Sequence, residues 1–136
     1  MNTPTNNHPS SFLEKLECWQ QAKRLAVQTY QVSTYGNLSQ DLVLRDEIRK
    51  SALAIASQIA SGKERGTASG FIAHLGAARA AAAELRTQIH ISREIGYLSE
   101  GDVLDLEDRI NRVSAMISGL IRSLRSRRKE GRPDPD

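Results

Sequence analysis

Residues 71–99 read FIAHLGAARAAAAELRTQIHISREIGYLS, and their spacing decides the fold. Phe71, Leu75, Ala78, Ala82, Leu85, Ile89 and Ser92 alternate steps of four and three, which is the seam of a helix packed left-handedly on another. Gly96 then stops the helix, and Ser99 followed by Asp102 supplies a fresh N-cap pattern. The same alternation resumes at Val103, Leu106, Ile110, Val113, Ile117, Leu120 and Leu124. Two long seams joined by so short a loop make an antiparallel helical hairpin.

Upstream, Ile48 to Gly66 reads IRKSALAIASQIASGKERG. Leu44, Ile48, Ala52, Ile55 and Ile59 recur with helical period, which predicts a helix over about residues 39–61 with Gly62 as its C-cap and GKERG as a short loop. The next helix is expected from Thr67 to Ile95. An earlier segment opens on Ser11 and Glu14, a capping-box pattern, and carries Phe12, Leu16, Trp19, Ala22, Ala26 and Tyr30 on one face until Tyr35-Gly36-Asn37 breaks it. Strand alternation appears nowhere. The reading is all-α: an antiparallel up-down-up-down four-helix bundle over residues 11–128, between polar tails at 1–10 and 129–136 that hold all four prolines.

A chain of 136 residues has room for one core and needs no disulfide or metal to stabilise it. Cys18 is alone, which suits a reducing compartment and a packed thiol. No apolar run is long enough for a membrane span and MNTPTNNHPS has no hydrophobic signal core, so a soluble cytoplasmic protein is expected. The chemistry of catalysis is missing. His90 and Glu94 form one i, i+4 pair, expected to be a surface pair without the further ligands of a metal site. Gly62 and Gly66 lack phosphate-loop spacing, and the Glu-x-x-His signature of di-iron bundles is absent. No cofactor and no enzymatic activity are expected.

Surface composition says more. Ala54, Ser57 and Ser61 on the second helix, and Ala73, Gly76 and Ala80 on the third, form small-residue faces away from the seams. Such faces let two backbones approach closely, although alanine is also the best helix former and tolerates exposure. The fourth helix is acidic first (Glu100, Asp102, Asp105, Glu107, Asp108) and basic last (Arg122, Arg125, Arg127, Arg128, Lys129). The helix macrodipole favours that order, but the basic run continues past the last core leucine to Arg132, and arginines so placed suit phosphate contacts. Arg79, Arg86 and Arg93 stand seven apart, a stripe with about 10.5 Å between members that is either a solvated face or a track for a polyanion. With six aromatic residues, most at core-periodic positions, any nucleic-acid binding would be led by phosphates and not by base stacking.

Leu16-x-x-Trp19-Gln-x-Ala22, the run from Ile48 to Gly62, Phe71 to Leu85 ending ARAAAAEL, and Gly96-Tyr-Leu together resemble the four-helix bundle protein family first noticed as reading frames in intervening sequences of bacterial large-subunit ribosomal RNA genes. The resemblance covers about Phe12 to Leu124. Against the family pattern, Ala54 stands for a serine, Ala56 for a proline, Gln58 for an asparagine and Ser61 for a glutamate, while Ala80-Ala81 replaces a Gly-Ser pair. What the resemblance implies is a cytoplasmic bundle that closes into a ring, a homopentamer. The family is also similar to the accessory protein of diversity-generating retroelements, which implies nucleic acid and a reverse transcriptase as partners. Two function classes stay open: an oligomer associated with RNA or DNA in a ribonucleoprotein, with Arg79, Arg86, Arg93, Arg122, Arg125, Arg127, Arg128 and Lys129 as contacts, or an oligomeric scaffold for another protein.

Overall fold

Short polar side chains start three of the four helices. In the computed structural model, which describes residues 16–129, these are α1 (Glu17–Val32), α2 (Leu42–Glu64), α3 (Ala68–Glu94) and α4 (Glu100–Lys129), with a 3-10 turn (Asn37–Gln40) between the first two. The Asp41 carboxylate accepts from the Leu44 N–H, the Thr67 hydroxyl from Gly70 and the Ser99 hydroxyl from Asp102, each at 3.1 Å. α1 starts after Leu16 with no side-chain cap. The Ser11–Glu14 capping box, Phe12, the expected tail at 1–10 and all of the expected tail at 129–136 except Lys129 lie outside the described residues, and Lys129 is the last residue of α4.

The seam expected on α3 is buried throughout, from Phe71 to Ser92. On α4 it holds from Val103 to Ile117 and then passes to Ile121 and Leu124, with Leu120 half-buried against the core. α1 is turned relative to the expected face. Cys18, Ala22, Leu25, Ala26, Thr29 and Val32 face the core, while Trp19 lies half-buried at its edge and Tyr30 is exposed. Burial of Thr29 is tolerated because its hydroxyl donates to the Leu25 carbonyl at 2.8 Å, so no polar group is left unpaired. Tyr30 instead covers Arg49 of α2, whose guanidinium lies 4.6 Å from the ring centre.

α2 and α3 make the most extensive of the helix pairings, and Gly62 shows how. It is not the C-cap. α2 continues to Glu64, and an added Cβ at Gly62 would sit 2.7 Å from the His74 Cβ and 3.0 Å from the Phe71 ring. The position is a glycine because α3 presses on it, and the reversal of the chain falls instead at Gly66, with φ +77°. The expected GKERG loop thus shrinks to Arg65-Gly66. α1 and α4 run in opposite senses: Leu16 lies with Leu120 against one hollow, Gln28 bonds Arg109, and Tyr35 bonds Asp102.

Gly62→Ala is expected to cost about 1–3 kcal/mol, the usual penalty of overpacking, read as a lower urea midpoint at unchanged slope. Gly76→Ala, whose methyl meets nothing within 4 Å, should instead gain up to about 1 kcal/mol of helix propensity. Burial pushes the Cys18 thiol from 9.0 to about 11. The unfolded chain therefore loses that proton first, and stability should decline as pH rises through the window between those values. At pH 8 a thiol reagent should modify Cys18 only as fast as the chain unfolds; rapid labelling of the folded protein would contradict this burial.

Candidate nucleic-acid interface

The seam of α3 fixes where its arginines point. With Leu85 and Ile89 inward, Arg79, Arg86 and Arg93 fall on the shoulder that meets α4. Arg93 pairs with Glu100 at 3.7 Å, His90 Nε2 with Glu107, Arg86 donates to the Asn111 side-chain carbonyl at 2.8 Å, and Arg79 donates to the Ser118 hydroxyl at 3.2 Å. Numbers fall along α3 as they rise along α4, as in an antiparallel pair. The arginine stripe bridges two helices and is not a free solvated face, and His90 finds its carboxylate across the groove at Glu107 and not at Glu94.

This ladder divides the stripe by charge. Arg93 and His90 meet the acidic first half of α4 and are paired with carboxylates. Arg79 and Arg86 meet the second half, where their partners are a hydroxyl and an amide that orient a guanidinium without neutralising it. Arg122 reaches back over Gly119, its terminal nitrogen 3.7 Å from the Cβ position there, one residue beyond the partner of Arg79. Arg125 follows three residues later, and both are exposed. Arg79, Arg86, Arg122 and Arg125 thus share one strip over the α3–α4 groove, and none has a carboxylate partner among the described residues. From Asn111 to Arg125 the strip is about 21 Å long at 1.5 Å per residue.

The remaining basic candidates divide differently. Arg127 is half-buried, with its Nε enclosed and unpartnered among the described residues, and lies about 200° round the helix from Arg125. Arg128 is exposed beyond the last core leucine, and Lys129 ends the helix. What sequence spacing treats as two basic sets is therefore one strip of four, with Arg93 and Arg127 set apart from it.

The small-residue positions of α2 and α3 differ in exposure. Ser57, Ser61, Ala73 and Ala80 are exposed, and Ala54 and Gly76 are half-buried. Ala54 lines a hollow of about 350 Å³ with Glu84, Thr87 and Gln88, and further along the same groove His74 Nδ1 lies 2.7 Å from the Gln58 side-chain oxygen. Sequence reasoning missed Val43, Ile91 and Ile95, large apolar side chains that are 77%, 46% and 51% exposed. Their signal was present: they continue, at steps of three and four, the positions Glu47, Lys50 and Ala54 on α2 and Glu84 and Gln88 on α3 that line the hollow. Ala54 packs partly into its own core, so Ala80 is the cleaner probe of the outer face.

Among the described residues no group of three or more His, Cys, Asp or Glu side chains is placed to hold a metal ion, and no helix is long and apolar enough to cross a membrane. The profile described as 23S rRNA-intervening sequence protein matches residues 14–119. Among solved structures, a protein of unknown function from the S23 ribosomal protein family of Bacteroides thetaiotaomicron is similar with a TM-score of 0.70 at 16% identity, over 76% of this chain and 97% of that chain. That likeness is one of fold. No curated protein matches the chain.

Proposed function

We propose a function on one premise: the chain belongs to the 23S rRNA-intervening sequence protein family. The protein acts without catalysis, as an oligomer that binds nucleic acid through phosphates laid along the α3–α4 strip. Four arginines with no carboxylate paired to any of them among the described residues, two of which, Arg79 and Arg86, are held by neutral partners, are the observation that supports this reading. Each phosphate they neutralise releases counterions, which drives binding without reading bases. The family's name mentions 23S rRNA and supports structured RNA as the polyanion.

Oligomerisation uses the outer α2–α3 face. Ser57, Ser61, Ala73 and Ala80 permit close approach there, and exposed Val43, Ile91 and Ile95 are apolar surface that a second copy would cover. A closed ring satisfies identical patches without a sticky end, and the family resemblance makes five the expected number. A ring repeats the arginine strip and so raises avidity with no new contact. The scaffold reading draws on a different observation: Tyr35, Leu42 and Leu104 are 54%, 58% and 56% exposed, Tyr35 beside Asp102 of α4 and Leu42 and Leu104 near the starts of α2 and α4, where a protein client would find apolar anchors.

Filter binding of structured RNA across a salt series tests the main reading. Changing Arg79, Arg86, Arg122 and Arg125 together to glutamine should flatten the logarithmic salt slope by about 0.7–0.9 for each phosphate that is no longer neutralised. Arg93→Gln should leave the slope unchanged, because Glu100 already neutralises that charge. No binding of RNA or DNA at low salt would favour the scaffold. For assembly, sedimentation should show a closed oligomer that Ala80→Trp disrupts with helicity intact; a 15.0 kDa species at tens of micromolar would reject the ring.

A further inference from the structure

On the side of α4 away from the arginine strip, α1 and α4 share a hollow of about 320 Å³ lined by Lys23, Arg24, Val27, Gln28, Gln31 and Arg109. Arg109 is half-buried and fixed: its Nε donates to the Gln28 side-chain carbonyl at 2.8 Å and its Nη1 to that of Gln21 at 3.3 Å. Both partners are neutral, so the guanidinium is oriented and keeps its charge, and its Nη2 carries no hydrogen bond among the described residues. The contact also orients Gln28. With its carbonyl committed to Arg109, its amide N–H groups are left to donate elsewhere. Gln21 is held in turn, its amide nitrogen donating to Glu17 at 3.0 Å.

None of the lining residues is acidic. Asp108 pairs with Arg112 at 3.0 Å, and Asp105, one turn before Arg109, does not line the hollow. Lys23 is steadied by the Trp19 ring, 4.7 Å below its ammonium, a contact that leaves its N–H donors available. Arg24 is exposed beside it. Three cations and an oriented amide donor therefore line one hollow that contributes no anion. Val27, 54% exposed, adds an apolar wall.

We propose that this hollow binds a phosphate monoester, as borne by a nucleotide or by the phosphorylated end of an RNA strand. A monoester fits better than an internal diester. Near neutral pH it carries close to two negative charges against one, and it presents three oxygens to the donors of Arg109, Lys23 and Gln28. The site is separate from the α3–α4 strip and does not rest on the nucleic-acid reading.

Calorimetric titration of the full chain with adenosine 5′-monophosphate, adenosine and sulfate tests it. The monophosphate is expected to bind at least about tenfold more tightly than either of the others, with selectivity over sulfate coming from its apolar part against Val27. Arg109→Gln should reduce that affinity by about tenfold or more. Because Arg109 also joins α4 to α1, the double variant K23Q/R24Q, on exposed positions, should give a comparable loss with an unchanged melting temperature. Changing Arg79 and Arg122 to glutamine should leave monophosphate binding as it was even where it weakens RNA binding, so that failure of one site is distinguished from failure of the other. A 5′-phosphorylated oligoribonucleotide that outcompetes its 5′-hydroxyl counterpart assigns the site to RNA ends, and equal binding of the two alongside tight monophosphate binding assigns it to free nucleotides. Indistinguishable affinity for the monophosphate and adenosine, or an undiminished monophosphate affinity in K23Q/R24Q, overturns the proposal.

Discussion

The rotation of α3 about its own axis is the constraint on which the rest of the molecule depends. Its steps of four and three put Phe71, Leu75, Ala78, Ala82, Leu85, Ile89 and Ser92 inward with almost no exposed surface. Once that face is fixed, the two shoulders have no freedom left. One carries Glu84 and Gln88 towards α2, and the other carries Arg79, Arg86, His90 and Arg93 towards α4. A one-residue slip would turn each shoulder by about 100°, burying an arginine or exposing the seam. The core thus holds the helix in the only setting that presents both surfaces, and the glycine at position 62, pressed by Phe71 and His74, sets how near α2 can come.

Charge acts on top of this geometry through partner identity. The chain's net charge is +3, too little to define a polyanion-binding protein by itself. α4, however, places its carboxylates early and its arginines late, an order that also suits the helix dipole. Because α3 runs the other way, Arg93 and His90 meet the acidic half, whereas Arg79 and Arg86 meet neutral side chains. One heptad stripe of identical residues is split into a paired part and an unpaired part by the register of its neighbour.

That register explains what the sequence could and could not disclose. The seam of α3, and that of α4 as far as Ile117, were legible because strict heptads leave one choice of face. α1 offered two overlapping stripes that share Ala22 and Ala26, and the bulk of Trp19 and Tyr30 pointed to the wrong one. The winning stripe buries Thr29, a residue that looks polar until its hydroxyl is seen bonded to the Leu25 carbonyl. Gly62 read as a stop because a glycine near a helix end usually is one, and only contact with α3 reveals the other reason for it. The arginines of the strip were each visible in the sequence, but their convergence was not, since Arg79 and Ser118 are 39 residues apart and meet only through the packing of two helices.

Arginines in this bundle can be sorted by what their partners occupy. Arg49 commits its Nε to the Ser33 hydroxyl at 2.8 Å, its Nη2 to the Ser33 carbonyl at 3.3 Å and its face to the Tyr30 ring, so it is a clamp between α1 and α2 with little left to offer. Arg93 keeps donors but loses its field to Glu100. Arg79, Arg86 and Arg109 form a third class, fixed by hydroxyl or amide oxygens that supply orientation and leave the charge intact. Orientation lowers the entropy that a ligand would otherwise have to remove, and an intact charge is what an anion needs. An isolated carboxylate at Asn111, Ser118 or Gln28 would secure the same helices equally well and abolish the surface. The neutrality of those three positions is therefore the feature of the sequence that stability alone does not explain.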